Sequence, residues 1–165
     1  MTWQPKTIIV GYDGTQPAEL ALEHAAELAR AFEATVIVAD VAPPSPLVAP
    51  GAFGLAPYYV GAADEIASAD KALWQQHRAR VESLLAGSGV THEFSTEVGA
   101  AVEELVDVAR RRKADLIVVG TRELGWLGRL LEGSVSEGVA RRAPCDVLVV
   151  HPPPDEAEAQ DGTSS

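Results

Sequence analysis

Five short apolar runs constrain the fold of this chain more than any other feature of its sequence. Two of them, "TIIVGYD" (Thr7–Asp13) and "TVIVADV" (Thr35–Val41), are nearly unbroken and rich in β-branched residues, which is typical of strands buried on both faces of a parallel sheet. "ADLIVVG" (Ala114–Gly120) and "CDVLVVH" (Cys145–His151) have the same character. "THEFSTEV" (Thr91–Val98) alternates instead, which predicts a strand near the sheet edge with one exposed face.

The segments between these runs show apolar residues at helical spacing. After the first run, apolar residues recur at helical spacing, and Pro17 suits the first turn of a helix with Thr15 or Gln16 near its N-cap. Further helices are predicted over residues 64–86, 100–112 and 134–142. His77 lies on the inner side of the second helix and is interpreted as a residue at the edge of the core. The alternation of strand and helix predicts an α/β fold, an open five-stranded parallel sheet with helices on both faces.

The predicted sheet also indicates where a ligand would bind. In open parallel sheets, ligands occupy the crevice at the carboxyl ends of the strands, at the point where the strand order reverses. Asp13 ends the first apolar run and Gly120 ends the fourth. If these two strands are neighbours, both residues border the same crevice.

Length and composition predict one domain with a flexible end. The chain has 165 residues and is 47% hydrophobic, which suffices for one sizeable core. We assign residues 1–151 to this domain. Residues 42–63 are rich in proline and glycine and are expected to form a loop insertion, either packed on the surface or serving as a lid or partner surface. Residues 152–165 are acidic and lack large apolar groups, so they are expected to be a disordered tail.

The charge of the chain excludes several classes of partner. A formal net charge of −11 argues against nonspecific binding to nucleic acid or to a membrane surface, because both need a basic field. The single cysteine excludes an intramolecular disulfide and a zinc site built on several cysteines. The chain begins without a signal-peptide pattern and has no apolar run of the ~18 residues that a membrane span needs. We therefore expect a cytoplasmic protein.

One glycine-rich segment, "GTRELGWLGRLLEGS" (Gly120–Ser134), is typical of a loop that holds phosphate. Glycines allow backbone N–H groups to approach phosphate oxygens closely. Gly133 and Ser134 precede a predicted helix, whose N-terminus favours an anion. Arg122 and Arg129 offer charge-assisted hydrogen bonds to the same anion.

Glu123 and Glu132 place negative charge in this segment and oppose the phosphate interpretation. A carboxylate ~5 Å from a unit phosphate charge is repelled by roughly 3 kcal/mol at an effective dielectric of ~20. Three arrangements stay open. The carboxylate points to solvent, Mg²⁺ bridges it to the phosphates, or it occupies the anion site itself.

Two blocks of the sequence, "IIVGYDGT" and "DLIVVGTR…G…GSVSEGVARRAPCDVLVV", resemble the universal stress protein family over roughly residues 5–151. The resemblance implies strand order 3-2-1-4-5 in a Rossmann-like fold of the adenine nucleotide alpha hydrolase type. It also implies a homodimer in which the last strand pairs with its own copy across a two-fold axis.

The resemblance extends to the ATP-binding branch of the family, with one departure. That branch carries a glycine, two residues, a second glycine, nine residues and then Gly-Ser or Gly-Thr. Gly120, Gly133 and Ser134 match this pattern, but Glu123 replaces the second glycine.

The same resemblance assigns roles to residues of the first two strands. It implies that Asp13 approaches the ribose and that backbone groups around Asp40 and Val41 meet the adenine. From the residues alone, Asp13 is suited either to accepting a hydrogen bond from a ribose or to a turn and helix cap.

These observations lead to one expected function and two alternatives. We expect a homodimeric module that binds an adenine nucleotide, ATP with or without Mg²⁺, in the stress response, together with protein partners that the sequence does not identify. The first alternative is a nucleotide-free dimer that acts as a protein-interaction module because Glu123 and Glu132 block the phosphate site. The sequence contains no catalytic motif, so the remaining enzymatic alternative is slow ATP hydrolysis or phosphorylation of Ser134 or Ser136.

Overall fold

The computed structural model describes residues 2–44, 56–121 and 135–153, with the backbone alone for residues 56–67. Strands and helices alternate along the whole described chain, as the apolar runs predict. In chain order the elements are β1 (Thr7–Tyr12), α1 (Gln16–Phe32), β2 (Thr35–Ala42), α2 (Ala56–Leu85), β3 (His92–Val98), α3 (Ala101–Arg112), β4 (Leu116–Gly120), α4 (Val135–Arg142) and β5 (Asp146–Val150).

All five strands form one parallel sheet in the order β3-β2-β1-β4-β5, which confirms the predicted fold. The central strand β1 pairs with β2 on one side and with β4 on the other, so Ile9 lies opposite both Ile37 and Ile117. β3 is an edge strand, and half-buried and exposed residues alternate along it except at Phe94 and Ser95, which are both half-buried. The alternating pattern of residues 91–98 therefore predicts its position correctly.

Helices cover both faces of the sheet. Successive strand residues point to opposite faces, so Ile8 and Val10 face α1 and the C-terminal half of α2, whereas Ile9 faces α3. Val81 of α2 is fully buried on the first face. On the second face, residues of α3 and α4 complete the core: Leu105, Val108, Ala109 and Val139. None of the helices in the described part of the chain is both long and apolar enough to cross a membrane.

The second helix begins earlier than the sequence predicts. α2 starts at Ala56 instead of near residue 64, and β2 runs through Ala42, so the expected loop over residues 42–63 overlaps ordered elements at both ends. Pro57 lies in the first turn of the helix, where its missing N–H has no intrahelical acceptor, and the alanines that follow favour helix. Residues 45–55 of that loop and residues 154–165 of the expected tail lie outside the described residues.

Gly120, at the end of β4, touches the first turn of α1. A Cβ at this position would overlap the carbonyl oxygen of Pro17. Gly120 is absent from the glycines with positive φ among the described residues, so the requirement for glycine here is steric. This contact sets the end of β4 against the start of α1, next to the site described below.

We predict that Gly120→Ala lowers the free energy of unfolding of the ligand-free protein by about 1–3 kcal/mol, because the backbone of Pro17 must shift. Gly11→Ala is the matched control in β1. Its Cβ would lie 3.2 Å from Leu105 Cδ1 and 3.3 Å from Val119 Cγ1, so side-chain methyl groups, and not a backbone carbonyl, would have to shift. Denaturant unfolding of both variants checks the prediction. Equal stability of Gly120→Ala and the unchanged protein would contradict it.

Candidate functional site

The carboxyl ends of β1, β2 and β4 open into a cavity of about 770 Å³. The strand order reverses at this point, because β1 is followed along the chain by β2 on one side and is paired with β4 on the other. Four of the seven predicted site residues line the cavity: Asp13, Asp40, Val41 and Gly120. The other three, Arg122, Gly133 and Ser134, lie outside the described residues, as do Glu123 and Glu132.

Asp40 is a buried charged residue near the end of β2. The residue is 7% exposed, and its Oδ2 atom lies 2.6 Å from Nδ1 of His77 on α2. The resemblance implied a role for the backbone around Asp40, and the structure adds its side chain to the cavity wall. When Asp40 is ionised, the imidazole of His77 donates its Nδ1–H to this carboxylate.

His77 is enclosed by β1 and by the loop that follows it. Its ring meets the ring of Tyr12 edge-on, with centroids 5.5 Å apart and an interplanar angle of 87°. Gly14 has φ +76°, and a Cβ there would lie 2.5 Å from Nε2 of His77. Glycine at position 14 is therefore required both for its left-handed backbone and for the space that the imidazole occupies.

The interpretation of His77 as a residue at the core edge misses its place in the cavity wall. The signal in the sequence was its position on the inner face of α2. Its partner Asp40 lies on another element, and a single sequence does not show that the two residues meet.

Burial and neighbouring charge act in opposite directions on Asp40. The pKa of the Asp40 carboxyl is raised above its ordinary value, because the effect of burial outweighs the hydrogen bond and the charge of His77, which lower it. The nearby Asp13 carboxylate raises the pKa further. Ionisation of Asp40 therefore depends on His77, which supplies its hydrogen bond within the described residues.

Tyr12 contributes a neutral hydroxyl next to this pair. Its oxygen is buried and has no hydrogen-bond partner among the described residues. Burial raises the pKa of Tyr12, and the Glu19 carboxylate raises it further. The hydroxyl is thus protonated at neutral pH and adds no charge to the site.

Asp13 is exposed at the rim and shapes the turn after β1. Its Oδ1 atom accepts hydrogen bonds from the Thr15 backbone N–H at 3.1 Å and from the Thr15 hydroxyl at 2.5 Å. These bonds show the turn role that the residue type allows. They also hold the Asp13 carboxylate in the cavity wall.

The described part of the cavity wall combines acidic and apolar residues. Asp13, Asp40 and Asp70 line it, and no lysine or arginine does so among the residues that the structure describes. Leu73 and Trp74 of α2 supply apolar surface. In the described ranges no group of three or more histidine, cysteine, aspartate or glutamate side chains is placed to hold a metal ion.

Comparison with known proteins gives the same family for nearly the whole chain. The model of the family described as "Universal stress protein family" matches residues 5–151. Universal stress protein MJ0531 of Methanocaldococcus jannaschii is 34% identical over 154 residues, which cover 92% of this chain and 85% of that protein. Universal stress protein Rv1636 of Mycobacterium tuberculosis is 36% identical over 156 residues, which cover 88% of this chain and 96% of that protein.

Solved structures agree with this result. A universal stress protein crystallised in complex with cAMP has 33% identity and a TM-score of 0.61, covering 90% of this chain and 98% of that one. The protein MJ0577 has a TM-score of 0.69 at 23% identity, a likeness that concerns the fold alone. Because the family model and relatives of more than 30% identity cover most of its length, this chain belongs to the universal stress protein family.

Proposed function

We propose that this chain binds an adenine nucleotide, with ATP as the expected ligand, and that it acts as a nucleotide-dependent module in the stress response. The cavity at the reversal of strand order carries this proposal, because it is the position where open parallel sheets bind ligands. The cAMP complex of a relative with 33% identity supports an adenine nucleotide as the class of ligand.

The charges of the cavity wall favour one orientation of the ligand. The Asp40 carboxylate at the end of β2 repels phosphate, whereas Trp74 and Leu73 of α2 offer apolar contact to a base. We therefore propose the adenine near Asp40 and Val41 and the ribose near Asp13. The phosphates then point toward the end of β4, where Gly120, Arg122, Gly133 and Ser134 would receive them.

We propose that occupancy of this site, not rapid chemistry, is what the protein communicates to other proteins. The sequence contains no activated nucleophile and no phosphate-loop motif, so a fast ATPase has no support in its residues. A nucleotide-dependent change of the surface around the cavity would report the nucleotide state of the cytoplasm to a partner.

A specific observation favours the alternative, a nucleotide-free dimer that acts as an interaction module. Glu123 replaces the second glycine of the phosphate motif, and Glu132 lies beside Gly133. These carboxylates would add to the three that line the described cavity wall. Affinity for nucleotide separates the two proposals.

We predict that the nucleotide-free protein binds MgATP with a dissociation constant in the micromolar range, measured by titration calorimetry. Glu123→Gln is expected to tighten binding about tenfold to a hundredfold, because it removes one charge near the phosphates. Glu123→Gly tests the backbone in addition to the charge. Glu23→Gln, on the exposed face of α1, makes the same change in net charge away from the cavity and serves as control.

The outcomes of this titration divide the proposals. No heat up to millimolar MgATP, ADP, AMP or cAMP would contradict nucleotide binding and favour the interaction module. Unchanged affinity of both Glu123 variants would show that Glu123 points away from the phosphates.

The homodimer belongs to the same proposal and depends on β5, an edge strand of the described sheet. The Thr121 N–H donates to the Val150 carbonyl at 2.9 Å, so the backbone groups of Val150 face β4. Because successive strand residues alternate in direction, the N–H of Leu148 also faces β4, whereas that of Val149 faces the open edge.

We predict that Val149→Pro gives a folded monomer, because it removes a donor at the outer edge and leaves the pairing with β4 intact. Val149→Thr keeps the N–H and should stay dimeric. Light scattering after size exclusion measures the mass, and circular dichroism checks the fold. A folded Val149→Pro dimer would exclude pairing through the outer edge of β5.

A further inference from the structure

Asp40 and His77 are two titratable side chains in contact in the cavity wall. The Asp40 Oδ2 and His77 Nδ1 atoms are 2.6 Å apart, and the two side chains are 10% and 13% exposed. An imidazole is the side chain whose charge changes between about pH 5 and 8. With Asp40 ionised, the pair carries one negative charge when the imidazole is neutral and no net charge when the imidazole is protonated.

The other titratable groups around this pair supply no positive charge that would balance the charge of Asp40. Asp13, in the loop after β1, and Asp70, on α2, line the same cavity. Glu19, on α1, is engaged by Arg80. Tyr12, on β1, presents a neutral hydroxyl with no partner in the described chain.

The two arginines near His77 on α2, Arg78 and Arg80, contact residues other than Asp40. Arg80 donates to both carboxylate oxygens of Glu19, at 2.7 and 2.9 Å. Arg78 lies over the ring of Phe94, with its guanidinium carbon 4.3 Å from the ring centroid. In the described part of the cavity wall, His77 is therefore the side chain that can carry a positive charge next to Asp40.

We propose that the cavity binds an anionic nucleotide together with a proton, which the imidazole of His77 takes up. This inference rests on the proposed function and adds a condition to it. When His77 is neutral, no side chain in the described part of the cavity wall compensates the Asp40 carboxylate, which repels the ligand. When His77 is protonated, the pair has no net charge and the repulsion falls.

The sign of the effect follows from this linkage. A bound anion stabilises the charged imidazole, so binding takes up a proton and affinity rises as the pH falls. A unit charge about 8–10 Å from the ligand, at an effective dielectric of about 20, corresponds to roughly a tenfold to thirtyfold change in affinity. Asp40 is then a positioning group. It holds the imidazole in place, and its negative charge is the charge that a proton on His77 neutralises.

The test uses the full chain with cAMP and, in parallel, MgATP. The phosphodiester of cAMP has no second proton to lose near neutral pH, so a pH effect with this probe belongs to the protein. Calorimetry between about pH 6 and 8.5, in buffers of different ionisation enthalpy, measures the affinity and the protons taken up. We expect affinity roughly tenfold to thirtyfold higher at the lower pH, with net proton uptake near the midpoint.

Variants distinguish a proton-linked role of His77 from a merely structural one. His77→Asn keeps an amide N–H for Asp40 but does not titrate, so its affinity should be flat with pH and close to that of the unchanged protein at high pH. Asp40→Asn should bind more tightly at high pH and lose most of the pH dependence. His24→Gln, on α1 away from the cavity lining, should keep the full dependence.

The outcomes separate this inference from the proposed function. Binding that is independent of pH, or that keeps its pH dependence in His77→Asn, would overturn the proton linkage and leave nucleotide binding intact. No binding of either nucleotide at any pH would overturn both. Thermal melting of each variant without ligand shows whether the fold is retained, and Asp40→Asn carries the test if His77→Asn does not fold.

Discussion

The reversal of strand order between β1 and β4 is the constraint on which the rest of the structure depends. From β1 the chain crosses over one face of the sheet to β2 with α1, and the connection that ends in β4 crosses the other face with α3. The connections leave the two strand ends in opposite directions, so a crevice remains that no crossover fills. Gly120 contributes to this arrangement, because its lack of a Cβ lets the end of β4 contact the first turn of α1.

The cavity brings a carboxylate, an imidazole and apolar rings into one wall. A buried carboxylate costs free energy unless it is hydrogen-bonded or paired, and Asp40 meets this requirement through His77. Gly14 makes room for the ring, and Tyr12 closes one side of it.

The five strands and both layers of helices could be predicted because each segment shows a single hydrophobic pattern. The apolar runs indicate buried strands, and the helical spacing between the runs indicates helices with one buried face. The strand order came from the resemblance, since local pattern does not determine which strands pair. The start of α2 at Ala56 was missed, because a proline in the first turn of a helix and a proline in a loop look alike in a sequence. His77 was missed as a cavity residue, because its role depends on Asp40, 37 positions earlier in the chain.

Native mass spectrometry of the freshly purified protein tests the central claim most directly, because it weighs each subunit with whatever the cavity holds. The account predicts a dimer with the mass of one adenine nucleotide added per subunit, either as purified or after addition of micromolar MgATP. A bare subunit mass at millimolar MgATP and cAMP, in protein that remains folded, would contradict the account.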